Sequence, residues 1–410
     1  MLPDSVYADL DRRLAASDAA RAARYPGEPA GRQPVHTVYV PADRVRPGLA
    51  AAWGAAALAA VDGVDLPAIA GLDPAVMPRV LAKLRTEPIE DLRVDAEDGY
   101  RGTDEDADVV AAARALASDA PAFVGIRARS LEPATRRRGV RTLDLFLGAL
   151  SPRPGEVLVT LPKVTDADQV TAMVGLLTAL EDAHGHRLGL EVQVETPQAV
   201  LGPDGRATAA ALVHAAAGRC RGLHHGTYDY TAALGIAAAD QAPDHPAAEH
   251  AKAVMQVAAA GTGARAVDGS LNRLPVGPDR DAAWRRHATL VTRALRAGFH
   301  QGWDLHPAQL PTRYLATYAF FRAGLPAALD RLATYLTATA EAGAAAEARR
   351  AAGAATGAGG GPAVLDEPAT ARALAGTLVR ALDCGAADDA EVLGPLALDR
   401  PALDRLAGRA

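Results

Sequence analysis

Residues 190–200 read LEVQVETPQAV and residues 222–230 read GLHHGTYDY. In each, a run of strand-like residues ends abruptly in a carboxylate, Glu195 in the first and Asp229 in the second. Mg²⁺ prefers one or two carboxylates plus waters and substrate oxygens over a complete protein cage. Two strand-terminal acids from neighbouring units of an α/β chain therefore point to an enzyme that holds a small oxyacid on a divalent cation. Two solvated loop acids are the competing reading, and the regularity of the surrounding chain weighs against it.

Outward from these stretches the same unit repeats. Strand-like runs are VHTVYVP from Val35, DLRVDAED from Asp91, AFVGIRARS from Ala122, EVLVTLPKV from Glu156, RLGLEVQVET from Arg187, RGLHHGTYD from Arg221, ARAVDGS from Ala264 and GFHQGWDLHP from Gly298. Segments with helical spacing lie between them, among them ADVVAAARALAS, DADQVTAMVGLLTALEDA, AAALVHAAAG and AAWRRHATLVTRALRAG. Thr165-Asp166 and Asp281 read as helix caps. Strands alternating with helices predict βαβ units, and eight such units predict a (β/α)8 TIM barrel, whose chemistry sits at the C-terminal ends of the strands. Glu97, Asp98, Arg127, Arg129, Lys163, Glu195, Asp229, Asp268, Asp304 and His306 all fall at or near those ends. A doubly wound open sheet would use similar units, but no GxGxxG turn follows the first strand.

The chain has 410 residues, 49% of them hydrophobic, enough for one large barrel and an appendage. Aromatics are only 4%, so helix packing relies on small side chains such as Ala. A net charge of −6 argues against a nucleic-acid binder. Two cysteines, Cys220 and Cys384, make no disulfide framework and no zinc spacing. The first residues, MLPDSVYADLDRRL, have no apolar core of a signal peptide, and AAWGAAALAAV is too short and Ala-rich to span a bilayer. A soluble, cytoplasmic protein without membrane or nucleic-acid partners is expected.

Residues 1–325 are expected to form the barrel domain with an N-terminal helical segment. Residues 326–410 are expected to form an Ala-rich helical extension. Within it, GAAAEARRAAGAATGAGGGP reads as a Gly-rich connector, and VLDEPATARALAGTLVRALD resumes a helical pattern beyond it. A hinged lid, a segment packing on a neighbouring subunit and a tethered tail all fit that pattern.

The ordered set of strand ends resembles the citrate lyase β-subunit/malyl-CoA lyase group of the HpcH/HpaI aldolase superfamily, whose barrels are of the phosphoenolpyruvate/pyruvate-binding type. VDAEDGY is similar to the family's second-strand acidic motif and GIRARS to its arginine strand; LPKV, VETPQAV, HHGTYDYTAALGI, AVDGS and GFHQGWDLHPAQ follow in the family's order. The likeness covers about Val35 to Gln309, with a short match at VLDEPATARA. Two features depart from it. The first strand, VHTVYVPAD, lacks the usual basic residue and Pro-Gly turn, and Trp303 stands where the family has Lys. Trp303 and TYDY are more similar to malate synthases.

The resemblance implies a metal, Mg²⁺ or Mn²⁺, held by Glu195 and Asp229, the pair already reached from the strand ends. Such a cation acts as a Lewis acid on a carbonyl oxygen. Backbone amides of Gly226, Thr227 or Tyr228 are placed to cradle a substrate carboxylate. Arg127 is either a forked donor to developing negative charge or an ion-pair partner of Glu97 or Asp98; Arg129 shares its side only if the strand has not yet turned. Glu97 and Asp98 are expected to hydrogen-bond metal waters or orient Arg127, and Lys163 to act electrostatically or structurally rather than as a Schiff base. Of His224 and His225 at most one points inward, Asp268 caps its loop, His306 shapes a turn, and RRRG at 136–139 is a solvated basic loop. By resemblance alone, Asp366 is the acid/base carried on the C-terminal segment.

The expected function is a Mg²⁺-dependent carbon–carbon lyase splitting a β-hydroxy acyl-CoA or hydroxy-2-oxo acid through an enolate, with coenzyme A as a candidate part of the substrate. The alternatives are a malate synthase-like condensing transferase and a non-catalytic barrel that binds 2-oxo acids. A homo-oligomer is expected.

Overall fold

The computed structural model describes residues 2–117, 120–351 and 367–409, with no statement on the side chains of 342–351. Eight parallel strands follow the eight sequence runs: β1 (His36–Pro41), β2 (Asp91–Asp95), β3 (Phe123–Arg127), β4 (Glu156–Leu161), β5 (Arg187–Val194), β6 (Cys220–His225), β7 (Arg265–Val267) and β8 (Gly302–Asp304). Their spatial order is β7-β6-β5-β4-β3-β2-β1-β8. The seam between β7 and β8 is drawn together by Asp268 N–H donating to Gln301 O (2.9 Å) and by a parallel bridge from Ser270 to Trp303. The result is a nearly closed (β/α)8 barrel.

Period-two alternation sends Val38, Val40, Val94, Val124, Ile126, Val157, Val159, Leu188, Leu190, Val192 and Leu223 outward into a continuous apolar layer under the helices. Asp166 caps the helix Ala167–His184 by accepting from Gln169 N–H (3.1 Å). The helix Arg280–Arg296 starts earlier than the Asp281 cap predicts, with Asp279 at the cap position and Asp281 in the first turn. RRRG is no loop: Arg136 opens the helix Arg136–Ala149. Arg138 and Arg141 pair with Asp106 at 2.9 and 2.7 Å, which offsets basic residues at the positive end of a helix dipole.

The lumen is unusually ionic for a barrel whose interior is normally filled by branched apolar side chains. Tyr39, Val267 and Trp303 form a small apolar cluster there, separate from the outer layer. Arg93, fully buried, bonds Asp91 and, through Nε and Nη2, both oxygens of Glu191 at 2.9 and 2.5 Å. Glu191 Oε1 also lies 3.3 Å from His224 Nε2, and Trp303 Nε1–H donates to His224 Nδ1 (3.0 Å), which assigns the ring proton to Nε2. Burial alone would raise the Glu191 carboxyl, but Arg93 and His224 hold it well below the usual range.

The helix Leu310–Ala351 runs unbroken through position 326 and into the Ala/Arg part of the expected connector, where helix propensity is high. Residues 352–366, which include Asp366, lie outside the described residues. Helices Pro368–Cys384 and Asp389–Leu396 pack on Leu310–Ala351, and Arg400–Leu406 packs on Pro368–Cys384. Tyr318 Oη–H donates to Cys384 O (2.9 Å), and Arg322 pairs with Glu391 (2.6 Å). Arg409 Nη1 donates to Asp383 (2.6 Å) and to Gly31 O (3.4 Å). Cys220 and Cys384 are both buried free thiols. Among the described residues no helix is long and apolar enough to cross a membrane.

Candidate active site

At the C-terminal mouth, β5 ends because Thr196-Pro197 opens a short helix, Pro197–Val200, with the Thr196 hydroxyl accepting from Ala199 N–H (3.2 Å). The alternation that turns Glu191 and Gln193 into the lumen therefore carries one residue further to Glu195, 1% exposed. Glu195 Oε1 accepts from Lys163 N–H (2.7 Å), and Oε2 accepts from Gln193 Nε2. Burial pushes its carboxyl up to about 8, with Lys163 opposing and Asp229 adding to the shift. Asp229 lies in the first turn of the helix Thr227–Ala233, just beyond β6, with its side chain 48% exposed. Gly226 joins the two elements, and a Cβ there would collide with the Glu195 carboxylate.

Lys163 binds these acids together. Its backbone is left-handed (φ 52°), a conformation that a long side chain rarely adopts. The bend aims Nζ into a ring of carboxylates: Asp98 Oδ2 at 2.8 Å, Glu97 Oε1 at 3.2 Å, Asp229 Oδ2 at 3.5 Å and Glu195 Oε1 at 4.0 Å. Burial favours the neutral amine, but this ring raises the Lys163 ammonium above its ordinary value. Burial likewise raises Glu97, whereas Asp98 is held low against burial by Lys163.

Arg127 is buried with its fork on Asp95, Nε to Oδ1 and Nη2 to Oδ2 both at 2.8 Å. Its remaining Nη1 reaches Gln193 Oε1 at 3.3 Å and Glu97 Oε2 at 3.7 Å, and the guanidinium lies 4.8 Å above the Tyr39 ring. Sequence reasoning does not single out Asp95 or Gln193. The available signal was period two: Asp95 shares a face with Asp91 and Arg93, and Gln193 with Glu195.

Other strand-end residues go elsewhere. β3 ends at Arg127, so Arg129 turns away to Glu105 (2.9 Å). Asp268 pairs with Lys252 (2.8 Å) and caps Gly269 N–H. Asp304 points outward among His36, His287 and Arg313. His306 accepts from Ala308 N–H (3.1 Å). His224 faces the lumen, while His225 is buried without a hydrogen-bond partner among the described residues, its pKa lowered to about 3 by burial. Gly226 N–H donates to Val194 O (3.0 Å), which leaves the amides of Thr227 and Tyr228 in the first turn of the helix.

The donor set fits a divalent cation. Asp95, Glu97, Asp98, Glu195 and Asp229 face two cations, Arg127 and Lys163, and Glu195 is buried in a place where its charge is costly. Four of the five surround a single ammonium. Among the described residues no group of three or more His, Cys, Asp or Glu side chains is placed to hold a metal ion, so an ion here would rest on one or two carboxylates and fill its shell with waters and substrate oxygens.

The fold is a (β/α)8 barrel with the architecture of a citrate lyase. The citrate lyase of Burkholderia xenovorans LB400 aligns over 92% of this chain and 100% of its own, at TM-score 0.56 and 18% identity, a likeness of fold. Haloferax volcanii malate synthase in its lead(II) complex aligns over 69% of this chain and 72% of its own (TM-score 0.49, 19% identity). The protein CitE of Mycobacterium tuberculosis, in complex with magnesium and acetate, aligns over 70% and 91% (TM-score 0.44, 20% identity). These neighbours are members of the HpcH/HpaI superfamily. By sequence, the chain belongs to the family described as Domain of unknown function (DUF6986), whose model matches residues 14–410. No curated protein sequence matches it.

Proposed function

We propose that this chain is a divalent-cation-dependent carbon–carbon lyase acting on a β-hydroxy acyl-CoA or hydroxy-2-oxo acid. One observation carries the reading: Glu97, Asp98, Glu195 and Asp229 converge on one cationic position at the C-terminal mouth, beside a buried arginine. The ion, Mg²⁺ or Mn²⁺, would be held by Glu195 and Asp229 and would supply Lewis-acid polarisation of a substrate carbonyl there. The chain's own groups do the rest. Arg127, held rigid by Asp95, keeps Nη1 and a permanent charge at the edge of the site. The first-turn amides of Thr227 and Tyr228 are donors for a substrate carboxylate. Glu97, its carboxyl raised by burial, is a group inside the barrel able to hold a proton. Asp366 is proposed as the acid/base brought by the C-terminal segment, and a homo-oligomer as the working assembly.

A condensing, malate synthase-like transferase is the second reading, favoured by Trp303. Its indole lies 4.5 Å from the Tyr39 ring and 6.0 Å from the Arg127 guanidinium, so an apolar plate stands beside the site. The test is titration calorimetry of pyruvate, glyoxylate and oxaloacetate with and without Mg²⁺, repeated with acetyl-CoA. Mg²⁺-dependent binding of a 2-oxo acid is expected. Binding with no Mg²⁺-dependent component, or no binding, would remove both readings. A glyoxylate-dependent release of free coenzyme A would select the second.

A further inference from the structure

A cavity of about 930 Å³ opens at the N-terminal mouth of the barrel, at the opposite end from Glu195. Its walls are the first residues of the strands, including Phe123, Glu156, Arg187 and Arg265, and the segment 23–34 crosses beneath it. Inward it reaches Glu191 and His224 in the lumen. The volume lies at the upper end of the range for small-molecule sites.

The acids that line this cavity already have partners. Asp91 and Glu191 bond Arg93; Glu156 receives Arg221 through two bonds of 2.7 Å and Arg187 at 3.2 Å; Glu28 receives Arg380 at 2.9 Å. The cations are in excess. Two arginines share Glu156, and Arg265 has no carboxylate within 4.0 Å among the described residues. Arg265 donates to the carbonyls of Arg32 (3.1 Å) and Gly31 (3.2 Å) instead. Burial and the neighbouring charges of Arg409 and Arg380 pull its pKa down to about 10, against the opposing pull of the more distant Glu28 and Asp383, so it remains charged at neutral pH without a direct ion-pair partner among the described residues. A guanidinium bonded to two carbonyls keeps further N–H donors, and Arg pairs most strongly with carboxylate or phosphate.

We propose that this N-terminal cavity binds a small organic polyanion, phosphorylated or polycarboxylic, on Arg265 with Arg187 and Arg221 at the rim. The site is separate from the cation-binding mouth, and the lumen stands between the two. Binding there would place negative charge against Arg265 and leave the Glu195 carboxylate ring untouched.

The test is calorimetry on the full chain in EDTA, which silences the metal site, with pyrophosphate and citrate as separate probes. Saturable binding of at least one is expected, the tighter probe naming the ligand class. Arg265→Met should weaken it about 10- to 100-fold, the range for losing a hydrogen bond to a charged group. Ala122→Trp, which fills the cavity wall without changing charge, should weaken it as well. No saturable binding of either probe overturns the proposal. So does binding that both variants leave unchanged while their unfolding transitions match the wild type.

Discussion

Glu195→Gln isolates the cost of a buried charge at the proposed metal site. The substitution keeps size and shape, and the amide oxygen it introduces can still accept from Lys163 N–H. The wild-type carboxyl stands at about 8 against an ordinary 4.5. Because the folded value is raised, its contribution to stability is complete below about pH 4.5 and is lost as pH climbs to about 8. Each unit corresponds to about 1.4 kcal/mol, so the full loss is about 5 kcal/mol, falling to ~2 kcal/mol where the half-exposed Asp229 side admits water. The glutamine variant has no such loss. Urea unfolding followed from pH 4.5 to 9 in EDTA should therefore show wild type losing ground to the variant across that window. Mg²⁺ should restore the wild type and leave the variant unmoved, and wild-type affinity for Mg²⁺ should rise with pH and level off above about pH 8. Parallel stability curves for the two proteins in EDTA would refute the assignment of Glu195 as a buried acid that needs a cation.

Lys163→Met removes the ammonium that competes for the same carboxylates, so Mg²⁺ binding measured by calorimetry should tighten, by ~10-fold or more at the effective dielectric of a partly buried site. Weaker binding would make Lys163 an organiser of the ring instead. Arg127→Lys keeps charge but loses the fork on Asp95; turnover should fall ~10²-fold, as when one oxyanion donor is lost, with Mg²⁺ affinity retained, and near-normal turnover would leave Arg127 a structural residue. Asp366→Asn should abolish turnover while sparing Mg²⁺-dependent 2-oxo acid binding; full activity would send the search for the proton donor to Glu97.

The barrel was legible because eight strand runs each end in a turn and each is followed by a helical period. Nothing in that pattern depends on long-range contacts. Glu195 was legible for the same local reason, being the residue at which the run LEVQVE meets Thr-Pro. The partnership of Arg127 with Asp95 was not, because register between β2 and β3 pairs these residues only once the sheet exists. Lys163 is a sharper case. Its left-handed backbone, not its place in LPKV, aims Nζ at the acids, and a local pattern gives no signal for positive φ at lysine. RRRG reads as a loop because arginines at a helix start are unfavourable alone; Asp106 and Glu105, on the helix Glu105–Ala115, tip the balance the other way.

The charged lumen also bears on how the strands choose their register. A slip of one residue in β2 or β5 would turn Arg93, Asp91 or Glu191 out of their mutual pairing and into the apolar layer beneath the helices. An unpaired buried ion costs several kcal/mol, far more than a misplaced valine. A lumen of aliphatic side chains would tolerate neighbouring registers as near-equals. Here the Arg93 salt bridges act as a tumbler lock, in which all but one alignment of the strands leaves a charge stranded.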